Sequence, residues 1–68
     1  MNAVKFYRLE KGFTQEELSR LVGISRQSLI AIEKGTLPRS WVIVRLSNIL
    51  DVPVYLLFPD FARPPATH

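Results

Sequence analysis

Apolar residues recur along this chain at helical rather than strand spacing. Leu18, Leu21 and Val22 fall at i, i+3, i+4, Leu29 and Ile32 lie three apart, and Val44, Leu46 and Leu50 come further on. Val52, Val54, Leu57 and Phe58 close the pattern, and Phe13 stands just ahead of the first set. Such spacing lines side chains along one stripe of a helix and assigns them to the core, with Phe13 packing beneath the second helix. The polar and turn-forming residues between them mark where each helix starts and stops. Asn2 caps a first helix over about 3–11, with Val4, Tyr7 and Lys11 on one face and Gly12 as its stop. Thr14 with Glu17 three residues on forms a capping box and starts a second helix at about Gln15, which Gly23 ends. Ser25 caps a third helix running to Lys34, with Gly35 after it. Pro38 separates this from a fourth helix over about 40–50, and Pro53 suits the first position of a short fifth helix over 54–58. Pro59, Pro64 and Pro65 forbid a long helix beyond that point. The expectation is an all-α, compact five-helix domain over residues 1–59, with an extended or frayed tail over 60–68.

Size changes this picture in one respect. A chain of 68 residues forms one small domain. It buries only about 60% of its unfolded surface, so a lone monomer is expected to be marginal. There is no cysteine, hence no disulfide and no thiolate metal site. No apolar run approaches the roughly 18 residues of a membrane span, and no signal-peptide pattern is present, so the expected location is cytoplasmic. The apolar fraction of 47% is high for this size and suggests that a second copy covers part of the surface. A net charge of +3 favours a polyanionic partner, although the charge alone carries little weight.

Chemistry concentrates between residues 14 and 35, where two short capped helices meet at a glycine turn. That arrangement has the sequence form of a DNA-reading helix-turn-helix. A reading helix lies in the major groove with its first turn against the bases, where long polar side chains are useful. Arg26 and Gln27 are the first two residues after the Ser25 cap. Arginine can donate two bonds to guanine O6 and N7, and glutamine can bond adenine N6 and N7. Ser28 can reach a base or a phosphate, and Ala31 can touch a thymine methyl. No carboxylate occurs in this helix until Glu33, which suits approach to phosphate. Gln15 and Ser25, each at the start of a helix, are expected at backbone phosphates, with Lys34, Thr36 and Arg39 gripping the strand on the far side. Nothing here points to an enzyme. The sole histidine is His68, and Glu16 and Glu17 are neighbours that cannot face each other on a helix. No metal ligand set, cofactor motif or small-molecule site is evident.

The run YRLEKGFTQEELSRLVGISRQSLIAIEKG, with LSNILDVPVYLLF after it, resembles the Cro and lambda-repressor type of helix-turn-helix protein, also called XRE-like. The likeness covers about residues 4–58 and has its start, turn and ending motifs in the right order. It implies a lambda-repressor-like five-helix fold in which helices two and three form the motif, Gln15 holds phosphate, and Arg26, Gln27 and Ala31 face the groove. It also implies a buried ion pair between Arg8 and Glu33. The implied function is a sequence-specific regulator of transcription that binds double-stranded DNA, a repressor acting as a homodimer on a palindromic operator. Family members pair through the fifth helix and the residues beyond it, which nominates Tyr55, Leu56, Phe58 and Phe61. The chain departs from the family's pattern in three places. Only Thr36 and Leu37 separate Gly35 from Pro38, where three residues are usual. Ile30 replaces a small polar residue beside the groove, where it can meet thymine methyls. Trp41, Tyr55 and Leu56 stand where acidic or polar residues are common. The alternative is a helix-turn-helix scaffold serving as a protein-interaction adaptor or antitoxin-like partner.

Overall fold

The computed structural model describes residues 2–60. They form five helices and no strand: α1 (Val4–Glu10), α2 (Gln15–Val22), α3 (Arg26–Glu33), α4 (Ser40–Leu50) and α5 (Val54–Leu57). Local capping chemistry explains most of these limits. Asn2 Oδ1 accepts from the Val4 N–H at 3.1 Å, and its Nδ2 donates to the Ile32 carbonyl at 2.7 Å. The N-cap position of α1 falls to Ala3 rather than to Asn2, and the Asn2 side chain, one residue earlier, holds the first helical N–H and ties α1 to α3. At α2 the capping box is complete: Thr14 Oγ1 accepts from the Glu17 N–H at 3.0 Å, and Glu17 Oε1 accepts from the Thr14 N–H at 2.8 Å. Gly23 closes α2 at φ 92°, a left-handed conformation that a Cβ would strain, and this lets the chain turn straight into the Ser25 cap of α3. α4 ends at Asp51, which takes φ 58° without being glycine. Aspartate tolerates this region better than most residues. The Ser47 hydroxyl secures the exit by donating to the Val52 carbonyl at 2.6 Å.

The core gathers Leu18 and Val22 from α2, Leu29 and Ile32 from α3, and Val42, Ile43, Leu46 and Leu50 from α4. Val4, Val52, Leu57 and Phe58 complete it, and Phe13 packs against it as expected. The Ala3 N–H donates to the Leu57 carbonyl at 2.9 Å, which brings the start of α1 onto α5.

Two residues expected inside are outside. Leu21 is 50% exposed and Val44 is 52% exposed. At about 100° per residue, Leu18, Ser19 and Val22 define the inner face of α2, and Leu21 lies well off it. On α4 the inner face runs through Val42, Ile43, Leu46 and Leu50, and Val44 stands roughly opposite. The apolar run Trp41–Val44 offers α4 more than one apolar face, and periodicity alone does not choose between them. On α1, Val4 is fully buried and Tyr7 is half-buried, but Lys11 is exposed and Arg8 takes the inward place.

Candidate nucleic-acid interface

The two helices of the motif are α2 and α3, and α3 presents its first turn to solvent. Ser25 Oγ accepts from the Ser28 N–H at 3.0 Å and donates to Ser28 Oγ at 2.9 Å. Ser25 thus serves as the cap of α3 while remaining exposed at the start of that helix. Arg26, Gln27 and Ser28 are exposed together on this turn, while Ile30 and Ala31 are half-buried beyond them. Arg26 also borders a shallow cleft shared with Lys5, Thr14, Gln15 and Glu16, where the starts of α2 and α3 come near α1.

The orientation of α3 is held from behind. Arg8 Nε donates to Glu33 Oε2 at 2.7 Å, with side chains only 8% and 5% exposed. Arg8 Nη1 donates to the Phe13 carbonyl at 2.9 Å. Glu33 Oε1 accepts from Gln15 Nε2 at 3.0 Å and more distantly from Arg8 Nη2 at 3.5 Å. One carboxylate thereby joins α1, α2 and α3. A buried charge needs such partners, because desolvation makes an unpaired one costly. Among the described residues no buried side-chain nitrogen or oxygen lacks a partner.

At the far end of α3, Lys34 caps the helix and is exposed, as is Thr36, whose N–H donates to the Ala31 carbonyl at 3.0 Å. Arg39 precedes α4 as its N-cap residue, exposed and without a capping bond from its side chain. The acidic side chains near α2 are occupied. The Glu17 carboxyl is held below its ordinary value of 4.5, chiefly by the Thr14 backbone N–H and hydroxyl that bond it. Glu16 pairs with Arg20 one turn on at 3.2 Å.

Of the four residues nominated for subunit pairing, Tyr55 and Leu56 are exposed on α5, at 42% and 43%. Phe58 is buried instead: it is 4% exposed and belongs to this chain's own core, where its backbone N–H donates to the Val54 carbonyl at 2.9 Å and closes α5. Phe61 lies outside the described residues. Residue reading missed two features. Asn2 as a clasp on α3 carries no signal beyond the cap expected of it. The stack of the Arg45 guanidinium on the Trp41 ring, 5.9 Å from its centroid, was visible in principle as an i, i+4 cation and aromatic on one helix.

A capped, outward-facing third helix braced against the first two defines a helix-turn-helix domain. The helix-turn-helix family profile matches residues 4–57, and the chain belongs to that family. An uncharacterized HTH-type transcriptional regulator of Methanocaldococcus jannaschii is 53% identical over 34 residues, 50% of this chain and 52% of that protein. The solution structure of the N-terminal DNA-binding domain of SinR, the master biofilm regulator of Bacillus subtilis, superposes with a TM-score of 0.74 at 31% identity, covering 91% of this chain and 93% of that one. The crystal structure of SinR in complex with DNA gives 0.70 at 35% identity, covering 76% and 86%. The chain spans about half the length of the curated relatives it matches.

Proposed function

We propose that this chain is a DNA-binding regulator of transcription, with residues 1–59 as the domain that reads double-stranded DNA. The observation that carries the reading is the exposed pair Arg26 and Gln27 at the capped start of a helix that Glu33 locks in place. α3 lies in the major groove with Arg26 and Gln27 on base edges, Ser28 on a base or phosphate, and Ile30 and Ala31 against thymine methyls. Gln15 grips a phosphate. Its Nε2 gives one hydrogen to Glu33 and keeps a second for the backbone. Lys34, Thr36 and Arg39 meet the strand beyond α3. SinR, bound to DNA in a crystal of a similar fold, supports this reading.

Two copies on a palindromic operator complete the proposal, acting in the cytoplasm as a repressor. The exposed Tyr55 and Leu56 on α5 support pairing through that helix. Half-sites then lie about 34–36 Å apart. Selection from a random duplex pool at near-physiological salt tests both parts. An enriched inverted repeat is the expected result. A single enriched half-site removes the dimer. No enrichment refutes sequence reading and leaves the adaptor role.

A further inference from the structure

Beside α3 runs a shallow apolar groove of about 330 Å³. Ser28 and Ala31 line one wall, and Leu37, Arg39 and Trp41 line the other. The first pair belongs to the face of α3 assigned above to the bases. The second set comes from the short loop and the first turn of α4. The Thr36 N–H bond to the Ala31 carbonyl draws that loop against α3, which brings Trp41 to the rim of the reading face.

Trp41 is 48% exposed and Leu37 is 56% exposed, so the fold itself leaves the groove open. The Trp41 ring is nonetheless held. The Arg45 guanidinium lies 5.9 Å from its centroid, and Arg45 Nη1 is anchored on the Val22 carbonyl at 3.2 Å. Arg39 thus lines the groove, Arg45 stacks on its Trp41, and none of its lining residues is acidic. This pattern matches a nucleic-acid strand, in which the C–H face of each deoxyribose alternates with an anionic phosphate.

We propose that Trp41 is a further DNA-contacting residue, packing its ring on a deoxyribose of the strand whose phosphate meets Arg39. The proposal rests on α3 being the DNA-facing helix, and it adds a sequence-blind contact beside the sequence-reading ones. A sugar is the same under every base, so this contact raises affinity without altering preference.

Trp41 is the sole tryptophan, so its fluorescence reports on this site alone. The full chain is titrated with a labelled duplex carrying its selected site, and label anisotropy and tryptophan emission are monitored together. The expected result is a change in emission and reduced acrylamide quenching, in step with binding. Trp41→Ala is expected to weaken binding to the selected site and to an unrelated duplex alike, by about tenfold, the size for uncovering roughly 60 Å² of apolar ring. Trp41→Phe retains most of the affinity. Circular dichroism checks that the variants fold, and if Trp41→Ala does not, the wild-type emission decides. DNA binding that leaves emission and quenching unchanged overturns the Trp41 contact while the reading by α3 stands. Loss of acrylamide access on raising protein concentration without DNA overturns it in favour of a contact between copies. No binding of the duplex at all overturns both.

Discussion

Replacing Glu33 by alanine removes the carboxylate on which three helices converge. Arg8 would keep only the Phe13 carbonyl, and its guanidinium would remain among side chains that leave it 8% exposed. Gln15 Nε2 would lose its acceptor as well. Breaking a buried pair by deleting one partner costs about 3–5 kcal/mol, because the surviving charge is neither solvated nor neutralised. A domain of this length has a total stability of about 3–10 kcal/mol. At about 4–8 °C per kcal/mol, the midpoint of thermal unfolding should fall by about 12–40 °C, enough to leave much of the protein unfolded at physiological temperature. Circular dichroism at 222 nm, recorded through heating, measures this directly. The double variant Arg8→Met with Glu33→Leu supplies the control. Exchanging both partners for apolar side chains of similar size leaves no buried charge, so it should regain most of the loss and fall short of the wild type only by the hydrogen bonds that Gln15 and the Phe13 carbonyl give up. A Glu33→Ala midpoint within about 2 °C of the wild type would refute the argument, since it would mean that the pair is effectively solvated.

The site carries three other expectations. Arg26→Ala should cost about 1–3 kcal/mol on the selected site and relax preference at one base pair per half-site, read by repeating the binding-site selection with the variant. Lys34→Ala should weaken binding to every duplex alike and lower the slope of log affinity against log salt by about one unit. Equal, sequence-blind losses from both variants would mean that Arg26 does not read a base. Glu17 is expected to make stability sensitive to acid. Its carboxyl sits below 4.5 in the folded chain, so its contribution is present above the unfolded value and lost as pH falls through the folded one. Urea melts from pH 6 down to 3 should therefore fall less steeply for Glu17→Gln, and identical slopes would remove Glu17 as the cause.

The helix limits were largely legible residue by residue because they depend on neighbours in sequence. The Thr14 and Glu17 box, the Gly23 turn, the Ser25 cap and Pro53 ahead of α5 act within four residues of the backbone they organise. The exposure of Arg26 and Gln27 was legible for the same reason, since the two side chains come directly after the cap. The family likeness named the Arg8 and Glu33 pair, which residue spacing alone did not. What failed was the choice of face on apolar-rich segments. Helix four carries apolar side chains at Trp41, Val42, Ile43 and Val44, and several of its faces could have been turned inward.

Sequence by itself thus determined the number, order and ends of the helices and the polar tip of α3, because short-range hydrogen bonding and backbone conformation decide those. Only the tertiary structure decided that Val42 and Ile43 are buried in place of Val44, since α2 and α5 must pack on one face of α4 at the expense of the others. It alone placed Phe58 in the core and joined Gln15 to Glu33 across 18 positions. It also set Trp41 beside α3. These last arrangements are contacts between distant segments, and their partners are chosen by how whole helices fit against one another rather than by the residues on either side.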